Sequence, residues 1–183
     1  MENFVLSCCS TADLSLEHFQ NRNIHYICFH YELNGTVYPD DLGQSMPFDV
    51  FYEAMTRGAE TKTFQVNVAE FEAYFESFLK EGKDILHLCL SSGITGVMNS
   101  ANIAKDILAE KYPEKSRDLL VKLLDKSMAG ANSRDNYRGV IARLKRLNAY
   151  PDGKDAARGL AGKWRIQYSS RRAMIDELNK AKY

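Results

Sequence analysis

An abrupt change in composition near residue 112 divides this chain into two parts. Residues 1–112 carry 7 Lys and Arg against 16 Asp and Glu, a formal charge of −9, whereas residues 113–183 carry 17 basic and 8 acidic side chains, or +9. All 4 His, all 4 Cys and all 9 Phe precede residue 113, and the single Trp, Trp164, follows it. Such a shift marks a boundary, so the two parts are expected to fold as different structures.

The first part alternates strand-like and helix-like segments. Phe4–Cys9 is a short apolar run, and Ile24–Tyr31 is dense in aromatic and β-branched residues, so both are predicted to be strands. Asn34-Gly35 is the dipeptide of a tight hairpin, and the continuous apolar run Asp84–Leu90 is typical of a strand buried in a parallel sheet. This pattern predicts a three-layer α/β domain with a mostly parallel sheet. Its helices are predicted over residues 14–21, 47–57, 68–80 and 98–111.

Three polar turns lie at candidate strand ends of this domain: Ser10-Thr11, Thr61–Asn67 and Ser91–Thr95. Ligands of a parallel sheet collect beyond the carboxyl ends of its strands. The third turn combines hydroxyls and Gly93 with the start of a helix, which suits a carboxylate or a phosphate. The same residue types also make ordinary turns and helix caps, and local spacing does not separate the two interpretations.

The sequence shows no catalytic or metal-binding constellation. His87 and Cys89 share a strand face inside an apolar run and are interpreted as core, and Asp40-Asp41 has no third ligand nearby. The cysteines lack the CxxC spacing of zinc sites and are expected to be free thiols in a reducing cytoplasm. No run is long enough for a membrane span, and the N-terminus lacks the features of a signal peptide. A cytoplasmic, non-enzymatic protein is therefore expected.

Several segments, in order along residues 3–114, resemble the N-terminal domain of the DegV family, bacterial proteins that bind fatty acids. The matching segments are Ser10–Leu14, Tyr38–Gly43, Met46–Tyr52, Thr63–Asn67, Glu81–His87, Ser91–Gly96 and Asn99–Ala101. The resemblance implies that residues 1–115 form a DegV-like α/β lipid-binding domain, with a long-chain fatty acid as its ligand and no cofactor. It further implies that the bound acyl chain is presented to a separate fatty acid kinase.

The resemblance also assigns the carboxylate site. In the family, hydroxyls of a Thr-Ser-Gln motif and of a Ser-Ser-Gly loop hold the lipid carboxylate, which corresponds here to Thr63 and Ser92. Ser91, Gly93 and Thr95 would support the loop, and the pocket would be lined by Ser10, Thr11, Phe64 and Gln65. Phe64 stands where the family motif has Ser, and Cys9 stands where an Asp is common, so the polar end of the pocket is expected to be weaker than in the family.

The resemblance stops in the second part of the chain. Residues 116–183 are predicted to form about four basic helices, with apolar stripes that include Leu120, Ile141 and Trp164. One alternative function is an interaction module, in which these helices bind a protein or a nucleic acid. Nucleic acid is the less favoured partner because the basic residues are scattered over solvent faces. A second alternative is a truncated family member without activity, and an uncovered lipid pocket would favour a homodimer.

Overall fold

A computed structural model describes residues 4–183. The chain divides into two compact units, Met1–Leu108 and Ala109–Tyr183. The first unit mixes strands with helices, and the second unit is helical, which confirms the predicted fold class of an α/β domain followed by a helical segment. None of the helices in the described part of the chain is long and apolar enough to cross a membrane.

A three-stranded parallel sheet forms the centre of the first unit. Its strands are β1 (Phe4–Cys9), β2 (His25–Ile27) and β6 (Asp84–Leu88), in the order β2-β1-β6. The register places His25 and His87 on either side of Ser7. β1 is the central strand, and most of its residues are buried because it has a neighbour on both edges.

Two helices of the first unit contact the strands of this sheet. α1 (Leu16–Asn21) buries Phe19, which packs against Tyr26 of β2 at a ring-centroid distance of 4.8 Å. α3 (Val68–Lys80) begins with a capping box formed by Asn67 and Glu70. The apolar stripe of α3 places three buried rings on one side of the helix: Phe71, Phe75 and Phe78. The predicted helix over residues 68–80 is confirmed.

A second, antiparallel sheet accompanies the parallel one. It consists of β3 (His30–Leu33), β4 (Thr36–Pro39) and β5 (Thr61–Phe64), in the order β4-β3-β5. The hairpin predicted at Asn34-Gly35 is confirmed, with φ values of 50° and 83° that match a turn needing positive φ at both positions. α2 (Phe48–Thr56) packs against this sheet through Phe51, whose ring lies 5.0 Å from that of Tyr31.

Three predictions for the first unit are wrong: one strand, one turn and the burial of one strand. The run Ile24–Tyr31 is not one strand, because the chain leaves the parallel sheet after β2 and enters the antiparallel sheet at β3. The segment Thr61–Asn67 is not simply a turn, because its first four residues form β5 along the free edge of β3. β6 also differs from expectation: Leu86 is 51% exposed and Leu88 is 56% exposed, so the face of this edge strand that carries them is open and β6 is not buried on both faces.

The last helix to begin in the first unit, α4 (Val97–Lys111), follows the polar loop after β6. Its buried side is made of small and aliphatic residues, including Val97, Ala104 and Leu108. α4 therefore starts directly behind the loop that the sequence assigns to ligand binding.

The second unit contains four α-helices among its described residues. They are α5 (Pro113–Gly130), α6 (Arg134–Leu144), α7 (Gly153–Gln167) and α8 (Arg172–Lys180). Trp164 is fully buried in their shared apolar core, and its indole N–H donates a hydrogen bond of 2.9 Å to Asp125. α5 begins three residues before the predicted start of the helical segment at residue 116, because Pro113 occupies its first turn.

Several basic side chains of this unit form hydrogen bonds and ion pairs within the unit. The carboxylate of Glu177, only 6% exposed, accepts hydrogen bonds from Arg134, Arg138 and Lys180. These partners, Arg138 first, lower the pKa of Glu177 to about 2. The guanidinium of Arg171 donates to the carbonyls of Met128 and Ala131 at the end of α5. These basic residues therefore serve the packing of the helices.

Candidate functional site

An apolar recess lies where β1 and β6 end. It has a volume of about 220 Å³, and Thr11 supplies one of its few polar side chains. The carboxyl ends of neighbouring parallel strands are the position at which ligands of such sheets collect. The residues around it are Leu6, Ser7, Cys8, Cys9, Thr11, Ala12, Leu14, Ile24, Leu88, Cys89 and Leu90.

The loop after β6 is held together by its own hydroxyls. The Ser91 hydroxyl accepts a hydrogen bond of 3.2 Å from the Gly93 backbone N–H. The Thr95 hydroxyl accepts from the Val97 N–H at 3.3 Å and donates to Gln65 Oε1 at 2.8 Å. This last bond joins the loop to the segment that follows β5, so two of the three predicted polar turns are in contact.

Three hydroxyls of these two segments have no hydrogen-bond partner among the described residues, those of Thr61, Thr63 and Ser92. Ser92 is exposed in the loop, and Thr63 is exposed on β5, where it lies opposite Tyr31. Side chains of neighbouring strand residues point to opposite faces, so Phe64 lies on the other face of the sheet from Thr63. The aromatic ring of Phe64, 42% exposed, therefore does not narrow the surface around Thr63.

The first polar turn has a different role. Ser10 is buried, and its hydroxyl accepts a hydrogen bond of 3.0 Å from the backbone N–H of Phe29, which ties the end of β1 to the bend between β2 and β3. Thr11 lines the recess, and its hydroxyl oxygen is buried without a hydrogen-bond partner. A buried polar atom without a partner is costly, which makes Thr11 a position where a ligand group could be accommodated.

A polar network that the sequence did not reveal lies beneath the sheet. The Ser7 hydroxyl is hydrogen-bonded to Tyr74 Oη at 2.6 Å and to His87 Nδ1 at 3.0 Å, and His87 Nε2 lies 3.7 Å from Cys9 Sγ. The sequence grouped His87 with Cys89 instead. Only the strand register, which sets Ser7 opposite His87, brings these residues together.

The electrostatics of this network do not suit acid–base catalysis. Burial lowers the pKa of His87 to about 4, and burial, with smaller contributions from Cys89 and Cys8, raises the pKa of Cys9 to about 12. At neutral pH the imidazole and the thiol are therefore both uncharged. Within residues 4–183 no group of three His, Cys, Asp or Glu side chains is arranged to hold a metal ion.

We expect acidification from pH 6.5 to 4 to destabilise the first unit through His87. The folded chain keeps the imidazole neutral down to its pKa of about 4, whereas the unfolded chain takes up a proton near pH 6.5. The unfolded state binds more protons in this window, so the stability is complete above pH 6.5 and is lost as the pH falls to 4. Allowing for partial exposure, the loss is about 2 kcal/mol.

Hydrogen exchange of the β1 and β6 amides at a series of pH values measures this loss. A His87→Gln variant keeps hydrogen-bonding capacity next to Ser7 but does not titrate, so its stability should fall less over the same window. Equal losses in the parent and the variant would contradict the role assigned to His87.

A parallel sheet with an apolar recess at the carboxyl ends of its strands is the arrangement in which ligands of α/β domains collect. A model of the DegV family, described as uncharacterised proteins, matches residues 9–133. The chain belongs to the DegV family.

Two relatives show which share of a DegV domain-containing protein this chain matches in length. A DegV domain-containing protein of Clostridium perfringens is 33% identical over 125 residues, which are 68% of this chain and 42% of that protein. One of Streptococcus pyogenes is 30% identical over 139 residues, which are 76% of this chain and 46% of that protein. The matched region is thus less than half the length of either relative.

Solved structures show the same fold. A stearic acid-binding protein from Eubacterium ventriosum has 26% sequence identity and a TM-score of 0.54, over 60% of this chain and 38% of that protein. DegV, a fatty acid binding protein from Bacillus subtilis, has 25% identity and a TM-score of 0.51, over 58% of this chain and 38% of its own.

Proposed function

We propose that this chain is a non-enzymatic fatty-acid-binding protein, in which the hydroxyls of Thr63 and Ser92 hold the acyl carboxylate. The ligands named for its solved structural neighbours, stearic acid among them, support the ligand class. Presentation of the bound lipid to a fatty acid kinase stays a prediction from the family resemblance.

One observation carries this proposal. Ser10, Ser91 and Thr95 use their hydroxyls within the protein, whereas those of Thr11, Thr61, Thr63 and Ser92 have no partner among the described residues. Of these four, the family resemblance selects Thr63 and Ser92. A carboxylate accepts hydrogen bonds from such free donors, and bonds to a charged acceptor are the stronger ones. The N-terminal end of α4, directly behind the loop, adds a favourable dipole for an anion.

The acyl chain would extend from this polar end over apolar surface. The recess of about 220 Å³ is smaller than the roughly 300–1,000 Å³ usual for a pocket that encloses a small ligand. Further apolar surface is available at Leu86 and Leu88, both more than half exposed. A second copy of the chain would cover a lipid in this position, so a homodimer in the lipid-bound state is part of the proposal.

We expect the Thr63→Ala/Ser92→Ala double variant to bind stearate at least about tenfold more weakly than the parent, because it loses two hydrogen bonds to a charged group. Isothermal titration of delipidated protein measures the affinity, and native mass spectrometry reports stoichiometry and oligomeric state. Both side chains are exposed, so the variant should keep the fold of the parent.

Thr36→Ala is the matched control. Thr36 is an exposed threonine in β4 of the same antiparallel sheet, and it lies opposite Leu33 rather than next to the loop. The control should bind stearate as the parent does. Equal stearate affinity in the double variant and the parent would refute the assignment of Thr63 and Ser92, and a parent that binds no stearate would refute the proposed function itself.

A further inference from the structure

Two cysteines lie side by side at the carboxyl end of the parallel sheet. Cys9 is the last residue of β1, and Cys89 directly follows β6. The last register pair of these strands joins Cys8 to Leu88, so the next position aligns Cys9 with Cys89. Neighbouring strands lie about 4.8 Å apart, within the range of about 4.4–6.8 Å between the Cα atoms of a disulfide.

Both side chains lie on the same face of the sheet. Ser7 and His87 are opposite each other and hydrogen-bonded, and Cys9, two residues after Ser7 in β1, shares their face. The alternation of β6, continued by one residue beyond its end at Leu88, sets Cys89 on the same face. The contact of 3.7 Å between Cys9 Sγ and His87 Nε2 confirms the orientation of Cys9. Cys8 points to the opposite face, because successive strand residues alternate.

Electrostatics and accessibility also link this pair. Burial is the main cause that raises the pKa of Cys9, and the charges of Cys89 and Cys8 add to it. Both residues line the apolar recess. Cys9 is only 2% exposed, whereas Cys89 is half-buried, so a small oxidant entering from the recess meets Cys89 first.

We propose that Cys9 and Cys89 are an oxidisable dithiol pair, which a peroxide converts into a disulfide that bridges the ends of β1 and β6. The Cys89 thiol, whose pKa is raised by burial, first gives its proton to water. The thiolate then attacks the peroxide and becomes a sulfenic acid, and the departing hydroxide takes up a proton to leave as one water. The Cys9 sulfur then displaces the hydroxyl of that acid, forming the S–S bond and releasing a second water. The two thiols lose two protons and two electrons, and the peroxide accepts both.

This disulfide would link two strands of the first unit. Its formation does not require a bound lipid. It closes a loop of about 80 residues, and cross-links across long loops restrict the unfolded chain most strongly. Oxidised protein is therefore expected to unfold at a higher temperature than reduced protein, and the addition of a dithiol reductant should reverse the shift.

The test is to treat the reduced, folded full chain with hydrogen peroxide and to map its disulfides by mass spectrometry without reduction. Trypsin leaves Cys8 and Cys9 in one peptide, so fragmentation of the linked peptide assigns the bridge. We expect a Cys9–Cys89 link in the parent and in Cys28→Ser, the matched control with a cysteine outside the pair. We expect no link in Cys89→Ser, whose substitution is the milder one because Cys89 is only half-buried.

The parent map alone is decisive, even if a variant folds poorly. The proposal is overturned if peroxide forms no disulfide in the native chain, so that its mass does not fall by two hydrogens. It is also overturned if the disulfide joins Cys8 or Cys28 to any partner. A bridge that forms only after urea is added also overturns it, because the native sheet would then not be what brings the sulfurs together.

Discussion

Replacing Gly153 by alanine should destabilise the second unit by about 3 kcal/mol or more, since the new methyl group has no room. A Cβ atom at this position would overlap the backbone carbonyl oxygen of Leu147 and lie 2.6 Å from its carbonyl carbon. Backbone atoms cannot rotate away as a side chain can, so the start of α7 would have to shift. Urea denaturation followed by the fluorescence of Trp164, the single tryptophan, measures the loss in this unit.

Two other glycines of α7 provide controls, at which alanine should raise the stability instead of lowering it. Gly159 and Gly162 lie in the interior of α7, and a Cβ atom at either position meets nothing within 4 Å. Alanine is the better helix former, so Gly159→Ala and Gly162→Ala should each stabilise the unit by up to about 1 kcal/mol. A Gly153→Ala variant as stable as these two would contradict the steric explanation.

Elements whose signals are local were predictable from the sequence. The hairpin at Asn34-Gly35 needs only positive φ at two adjacent positions, which these residue types supply. The helix Val68–Lys80 needs only its repeating apolar residues and the cap at Asn67. Both signals lie within one turn or one helix face, so no distant contact has to be known.

Elements that depend on distant contacts were not predictable. Ile24–Tyr31 is dense in aromatic and β-branched residues along its whole length, and between β2 and β3 the Phe29 N–H bonds to Ser10, 19 residues away. β5 has four exposed residues and no apolar alternation, and it forms because β3 offers an edge for pairing. Neither cause is visible in the segment itself.

The sequence indicated only some of the contacts around the candidate site. The rule that ligands collect at the carboxyl ends of parallel strands applies to the loop after β6. It does not predict the contact of this loop with Gln65, because Gln65 follows β5 of the antiparallel sheet. Which hydroxyls stay free depends on partners elsewhere: Ser10 bonds to Phe29, whereas Ser92 bonds to none of the described residues. The network around His87 was missed because strand register is not encoded in either strand alone.

Phe71 is a core residue of the first unit. Phe71→Ala should lower the free energy of unfolding of this unit by about 3–5 kcal/mol. Phe71 is fully buried, and its ring lies 5.3 Å from that of Phe75 and 5.4 Å from that of His87. Its removal leaves a cavity between α3 and the parallel sheet, next to the side chains that bond to Ser7. Hydrogen exchange of the β1 amides measures the stability lost in this unit.

Phe48→Ala separates the effect of burial from that of the residue type. Phe48 lies in α2 of the same unit and is 56% exposed, so the same substitution there removes little buried area and should cost less than about 1 kcal/mol. Similar losses in the two variants would show that the core does not lie between α3 and the sheet. A large loss confined to Phe71→Ala would locate the stability of this unit directly beneath the strands whose ends form the proposed lipid site.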